Sequence, residues 1–322
     1  MINIAIIGNG IVGSATYDLS IQNAGLIEKK VGDSIRVKKI VDILDFPNHP
    51  EPELLTKSFD DVMNDPAISI VVETIGGVRA AYEFTKRALA GGKSVVTSNK
   101  ELVATHGLEL TDIAKKNNAV YLFEASVGGG VPIIRPLKQC LAANDFCEIY
   151  GILNGTTNYI LTMMRDEGKT FDEALKEAQA KGYAENNPTA DIEGHDTARK
   201  IAILAWTVSG TLVDIEKIKM KGISDITAED IEKAKADGCA IKLIGRAKLA
   251  DGKVQCSVAP ERIPLSDPMA LVDDVYNAIV VKGNFIGDVM FYGQGAGGKA
   301  TASAVMSDVI EIARSMVASR VH

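Results

Sequence analysis

Apolar positions in the first third of the chain fall in short unbroken runs separated by stretches of helical period, the pattern of buried parallel strands joined by helices. Asn3-Ile4-Ala5-Ile6-Ile7 is the first run, and it stops at Gly8-Asn9-Gly10-Ile11-Val12-Gly13, where a helical stretch begins. Further strands are expected at 35–43, 68–74, 94–97 and 119–124, with a helix ending near Ala88. The rhythm then changes. Helices are expected from Phe171 onward and over 197–207, with apolar residues three to four apart, and Asp225-Ile226-Thr227-Ala228-Glu229 has the polar start of another. Strands at 240–249 and 254–259 suit a mixed sheet. These patterns predict an α/β protein: a doubly wound Rossmann nucleotide-binding domain over 1–125, completed by a C-terminal helix at 302–322, and an α+β domain with a mixed sheet over 126–301.

The glycine-rich turn carries the first chemistry. Gly8 permits a tight turn, Gly10 lets the backbone approach a pyrophosphate, and Gly13 allows close helix-to-strand packing; Ile11 and Val12 contribute N–H groups at the helix start. A structural glycine turn is the plain alternative, but the run of strands and helices after it favours a dinucleotide site. An acid at the end of the second strand would meet the adenosine ribose, and Asp42 is the candidate, with Asp45 its rival. Either also reads as a polar strand end. Polar residues just past parallel strand ends face the ligand crevice, which singles out Thr74, Gly76 and Lys100 of the Ser98-Asn99-Lys100 tip. An exposed loop lysine is the ordinary reading of Lys100.

Composition narrows the partners. The chain has 322 residues, 46% hydrophobic content and net charge -7. Its pI near 5.3 argues against nucleic acid or an anionic membrane surface and for small molecules. Cys140, Cys147, Cys239 and Cys256 show neither zinc nor disulfide spacing and read as buried free thiols of the cytoplasm. Met1 leads straight into the first strand and no apolar run approaches the ~20 residues of a membrane span, so neither export nor membrane insertion is expected. His49, His106 and His195 read as isolated loop or surface residues.

Three later segments hold clustered polar groups. Glu124 precedes Ala125-Ser126-Val127-Gly128-Gly129-Gly130-Val131-Pro132, a turn whose carbonyls suit a hard cation or which serves only as a hinge. The stretch 151–160, Gly151-Ile152-Leu153-Asn154-Gly155-Thr156-Thr157-Asn158-Tyr159-Ile160, crosses from strand to helix and offers Gly155 and Thr156 at a helix start suited to a carboxylate. Within 182–200, Glu185, Asp191, Asp196 and Lys200 can bind an ammonium and move a proton, and Asp196 and Lys200 share a helix face at four-residue spacing. The same spacing fits an ordinary surface ion pair, with Asp196 as N-cap.

The blocks SNK at 98–100, EASVGGGVP from Glu124, GILNGTTNYI from Gly151, GYAE from Gly182, DIEGHDTARK from Asp191 and GQGAGGKATASAV from Gly293 resemble the signature blocks of homoserine dehydrogenase, in that family's order. The resemblance implies reversible NAD(P)H-dependent reduction of L-aspartate 4-semialdehyde to L-homoserine, toward threonine, methionine and isoleucine. It implies Lys200 as the proton-transfer lysine, Glu185 and Asp196 as substrate-binding acids with Asp191 beside them, and Lys100 as the cofactor-contacting active-site lysine. Gly182 and Gly297 would touch the cofactor. Glu124 and the carbonyls of Val127, Gly129 and Val131 would hold a monovalent cation, sodium. The middle domain would be catalytic and dimer-forming.

Two departures matter. Many members end the second strand with an arginine and an acid, suited to a 2′-phosphate, whereas this tip reads Asp42-Ile43-Leu44-Asp45. Of NAD and NADP, NAD is therefore favoured, with Lys38, Lys39 and Lys57 as the opposing basic groups. Many bacterial members also continue into an amino-acid-binding regulatory domain, and a chain stopping at His322 is expected to lack the usual site of threonine feedback. Two rivals stand beside this reading. Another Rossmann-type NAD(P)-dependent oxidoreductase would not need NGTTNY, GYAE and DIEGHDTARK together, and a non-catalytic NAD-binding regulator would not need Lys100 and Lys200.

Overall fold

The computed structural model describes residues 1–321. In chain order the elements are β1 (Ile2–Ile7), α1 (Ile11–Gln22), α2 (Ala24–Val31), β2 (Ile35–Val41), β3 (Leu55–Thr56), α3 (Asp60–Met63), β4 (Ile68–Glu73), α4 (Arg79–Ala90), β5 (Ser94–Thr97), α5 (Lys100–Lys116) and β6 (Tyr121–Leu122). They continue with β7 (Phe146–Ile152), α6 (Gly155–Glu167), α7 (Phe171–Ala180), α8 (Thr189–Ile192), α9 (His195–Ser209), β8 (Lys219–Met220), α10 (Ala228–Ala236), β9 (Cys239–Ala250), β10 (Lys253–Pro264), β11 (Tyr276–Gly283), β12 (Gly287–Gln294) and α11 (Gly298–Val321). The chain divides into two units, Met1–Ser126 together with the segment from Gly297, and Val127–Ala296.

The first unit is built on a parallel sheet of order β3-β2-β1-β4-β5-β6, the doubly wound arrangement in which the order reverses between β1 and β4. Ile4, Ile6, Ile40, Ile70, Val72 and Val96 fill its core together with Val305, Val309 and Ile312 of α11. Close packing at the sheet's carboxyl edge depends on glycine: a Cβ on Gly13 would lie 1.8 Å from the Gly8 carbonyl oxygen, and Gly8 itself sits at φ +96°. The second strand stops at Val41, so Asp42 lies just past it. Strand β6 is only two residues long, and Glu124 opens a short 3₁₀ turn, Glu124–Ser126, instead of ending the strand expected there.

The second unit carries the mixed sheet β12-β11-β7-β9-β10-β8, antiparallel except for the β8–β10 pair. Tyr150, Ile152, Ile244, Ile263, Ala278 and Val280 pack with Met269 and Val272 in one core cluster. Helix α9 meets the sheet at Gly245, where a Cβ would lie 2.8 Å from Thr197 Cγ2 and 3.0 Å from Leu153 Cδ1. That close approach brings α9 against the end of β7. Helix α9 begins at His195, two residues before the expected start, because Gly194 takes the left-handed N-cap position at φ +87°. Asp196 is therefore in the first turn of the helix and is not its cap.

Two expectations about minor residues are corrected. Cys140 and Cys147 are exposed, Cys239 is half-buried and only Cys256 is buried, since Cys140 ends the short helical segment Pro136–Cys140 and Cys147 lies at the start of β7. His106 is on α5 with its ring 4.3 Å from that of Tyr82, and His49 packs its ring 4.9 Å from Tyr17; neither is isolated. Among the described residues no helix is long and apolar enough to cross a membrane.

Candidate active site

In the second unit the corner between β7 and α6 gathers three charged side chains. Lys200 Nζ donates to the Leu153 carbonyl oxygen at 2.7 Å and pairs with Asp196 Oδ2 at 2.8 Å. Asn154 Nδ2 donates to Asp191 Oδ1 at 2.7 Å and to Asp196 Oδ2 at 2.9 Å. Lys200 and Asp196 are 7% and 2% exposed, which removes the reading of this pair as a surface contact. A buried acid and a buried lysine persist only when paired and hydrogen-bonded, so the helix that carries them is tied to the corner it packs on. Asp191 reaches the same amide from α8, and the α8–α9 junction is pinned by Ile223 N–H donating to the Ile192 carbonyl at 2.8 Å.

Glu185 stands apart from this cluster. It is exposed, its carbonyl accepts from Gln179 Nε2 at 3.1 Å, and among the described residues its carboxylate makes no ion pair. The preceding turn is held firmly: Gly182 sits at φ +74°, and Thr156 Oγ1 donates to the Tyr183 carbonyl at 2.7 Å. The Thr156 hydroxyl proton is thus committed to the protein. Carboxylate recognition at this helix start would fall to backbone N–H groups of Gly155 and Thr156, which an α-helix leaves outside its own ladder. Behind the turn, Tyr159 hydroxyl donates to Glu177 at 2.7 Å and accepts from Lys181 at 2.9 Å. Lys169, Lys181 and the Tyr159 hydroxyl hold the Glu177 carboxyl down at about 2.

In the first unit the glycine turn meets the demands of a dinucleotide. Helix α1 starts at Ile11 with Gly10 as N-cap, and a Cβ on Gly10 would meet nothing within 4 Å, so the approach to the helix N-terminus is open. Thr74 Oγ1 donates to the Ile7 and Gly8 carbonyls, both at 2.9 Å, and fixes the turn from below. Asp42 is held by two backbone donors, Asn9 N–H at 2.7 Å and Leu44 N–H at 2.9 Å. Its rival Asp45 pairs with Lys57 at 2.8 Å on the surface. A cleft of about 420 Å³ beside the turn is lined by Asn9, Ser14, Tyr17, Asp45, Phe46 and His49 among others.

Lys100 is the first residue of α5, whose N-cap Asn99 accepts from Leu102 N–H at 3.0 Å. Asn99 also donates to the Ile75 and Gly77 carbonyls, at 3.2 and 2.7 Å. Next to it lies an acid that the sequence placed only within the expected strand 68–74. Glu73 is buried, accepting from Thr97 Oγ1 at 2.5 Å and Ile75 N–H at 2.8 Å. Burial pushes its carboxyl up to about 7, against the opposing pull of the Thr97, Ile75 and Asn99 donors. The fully buried Tyr121 phenol is pushed well up by burial and by Glu73. Glu124 is buried, and its N–H donates to Asp308 Oδ2 of α11 at 2.8 Å. In the second unit, Gly129 of the turn after it sits at φ +57° with room for no side chain, since a Cβ would lie 2.3 Å from the Gly295 carbonyl oxygen. Among the described residues no group of three or more His, Cys, Asp or Glu side chains forms a metal site.

A doubly wound nucleotide sheet with an open glycine turn, together with a buried acid–lysine cluster, defines a nicotinamide-dependent oxidoreductase. The chain belongs to the homoserine dehydrogenase family: the homoserine dehydrogenase NAD-binding domain matches residues 8–124 and the homoserine dehydrogenase domain matches residues 132–310. It is 41% identical over 319 residues to homoserine dehydrogenase of Bacillus subtilis, covering 98% of this chain and 73% of that one. The crystal structure of a homoserine dehydrogenase from Thiobacillus denitrificans superposes with a TM-score of 0.93 at 42% identity, covering 98% of this chain and 74% of that one. A hyperthermophilic archaeal homoserine dehydrogenase solved with NADPH is 32% identical with a TM-score of 0.81, covering 96% and 97%. The chain is accordingly an oxidoreductase that interconverts L-aspartate 4-semialdehyde and L-homoserine with a nicotinamide cofactor.

Proposed function

We propose that Lys200 is the proton-transfer residue of this reaction, and the observation that carries the assignment is its buried pairing with Asp196 on one side and the Leu153 carbonyl on the other. When bound, the reduced nicotinamide supplies the hydride. As the aldehyde carbon is reduced its oxygen gains negative charge, and the Lys200 ammonium both stabilises that charge and delivers the proton. Asp196 orients the ammonium. Asp191 and Glu185 bind the substrate α-ammonium, and the helix start at Gly155 and Thr156 receives its carboxylate. Lys100 serves as a second active-site lysine on the cofactor side. Gly8, Gly10, Ile11, Val12, Gly13, Thr74, Gly76, Gly182 and Gly297 complete the proposed cofactor contacts.

The proposal favours NAD over NADP. Two backbone N–H groups fix Asp42 as a rigid acceptor, suited to a ribose diol and repulsive to a 2′-phosphate, while Lys57 is paired with Asp45. The reading also includes sodium bound through Glu124 and the carbonyls of Val127, Gly129 and Val131, an oxygen-only set appropriate to a hard ion. A cytoplasmic homodimer completes it. The test is the initial rate of L-homoserine oxidation with NAD and NADP in parallel, followed by absorbance of the reduced cofactor. Turnover faster with NAD supports the reading. Faster turnover with NADP refutes the Asp42 argument alone, and none with either cofactor refutes the residue assignments.

A further inference from the structure

Asn154 belongs to no part of the proposed proton transfer or substrate contact, yet every polar atom of its side chain is engaged. Its amide nitrogen has two hydrogens, and each goes to a different carboxylate: Asp191 Oδ1 on α8 and Asp196 Oδ2 on α9. Its carbonyl oxygen accepts the Thr157 N–H at 2.9 Å and so caps α6. The opposite orientation of the amide would aim an oxygen at two carboxylates and an NH₂ at an N–H donor, so chemistry fixes which way it points. The residue is 5% exposed.

We propose that Asn154 is a positioning residue for the acid pair: a neutral two-donor fork that holds Asp191 and Asp196 side by side. Two carboxylates within reach of one group repel, and the shared amide offsets that repulsion by donating to both, while Lys200 pairs with Asp196. Held in this way, Asp191 is kept in place for the substrate's cationic amino group and Asp196 for Lys200. The adjoining Leu153 carbonyl holds Lys200 itself, so residues 153 and 154 fix three charges contributed by two helices. The inference rests on the homoserine reaction assigned above.

The capping role and the fork role separate experimentally. Asp and Ser cap helices about as well as Asn, but neither supplies two donors, and Asp adds a third negative charge. Asn154→Ser is therefore expected to melt close to the wild type, Asn154→Asp to lose stability as well because it buries a third carboxylate beside the other two, and both to bind NADH with unchanged affinity while folded. Relative to wild type, kcat/KM for L-homoserine falls about tenfold in Asn154→Ser and about a hundredfold in Asn154→Asp, the larger part through KM, because the ammonium site is what is disturbed. Either variant matching wild-type kcat/KM, with Asn154→Ala alone impaired, would reduce Asn154 to a helix cap and overturn the proposal. A loss carried wholly by kcat at unchanged KM would overturn it as well. A wild type that binds NADH and does not turn over homoserine would overturn both this proposal and the reading beneath it, whereas a wild type that turns over normally beside an equally active Asn154→Asp would overturn this proposal alone.

Discussion

The two units each bury acid at the carboxyl end of a strand, and they treat it in opposite ways. Glu73, at the end of β4, is hydrogen-bonded by neutral groups, a threonine hydroxyl, a backbone N–H and an asparagine, and burial raises its carboxyl to about 7. Asp196, beside the end of β7, is buried as deeply but shares its oxygen with a lysine ammonium and an amide. The contrast teaches that burial alone does not define a catalytic acid site. A neutral cage moves an acid toward its uncharged form and makes it an anchor, whereas a cage with a counter-charge keeps an ion pair available for chemistry.

The largest predicted effect lies on the charged side of that contrast. Lys200→Met should lower kcat by about a thousandfold, within the span of general acid–base catalysis. It should also cost about 3–5 kcal/mol in urea unfolding, because Asp196 is left buried without its cation. Adding Asp196→Asn should return most of that stability and none of the turnover, and recovery of turnover would dissolve the distinction between the two regions.

Glu73→Gln tests the neutral side. One Glu73 oxygen accepts from Thr97 Oγ1 and the other from the Ile75 N–H, so a glutamine in this place must turn its NH₂ toward one of these two donors. Loosening the Asn99–Lys100 turn is expected to lower kcat about tenfold. The pH dependence has a definite sign. The native carboxyl at about 7 lies above its ordinary 4.5, so the native state binds the proton more tightly than the unfolded chain. Wild-type stability relative to the glutamine variant should be greatest below pH 4.5 and fall as pH rises to 7, by about 3 kcal/mol in total. A flat difference across that window would contradict a neutral cage.

Smaller effects concern the surroundings of each acid. Asp42→Ser removes the acceptor of the Asn9 N–H and the carboxylate proposed to repel a 2′-phosphate, and should raise the NADP-to-NAD ratio of kcat/KM about tenfold. Tyr159→Phe removes the hydroxyl between Glu177 and Lys181 and should cost about 1 kcal/mol with only a few-fold rise in KM for homoserine, read by thermal unfolding and steady-state rates.

Much of this was legible in the chain. Short apolar runs and the glycine turn announce the parallel sheet, because buried strands and a pyrophosphate-sized gap both leave local patterns. Asp196 and Lys200 were visible as partners because helical spacing is local too. The role of Asn154 was not, since its two carboxylate partners lie 37 and 42 residues away and meet it only when α8 and α9 pack on the corner. Glu73 stood unremarked inside the strand 68–74, because its surroundings include Thr97 of β5 and Tyr121 of β6, which are distant in sequence. The start of α9 was misplaced because an aspartate is the commoner cap, while here the left-handed Gly194 takes that position and frees Asp196 for Lys200.

The measurement that tests the account most directly is kcat for L-homoserine oxidation by Lys200→Met and Glu73→Gln, run side by side at saturating cofactor. The account predicts that the lysine variant loses about a hundredfold more than the glutamate variant, because one residue moves the proton and the other holds a turn in place. Equal losses, or a larger loss in Glu73→Gln, would contradict it.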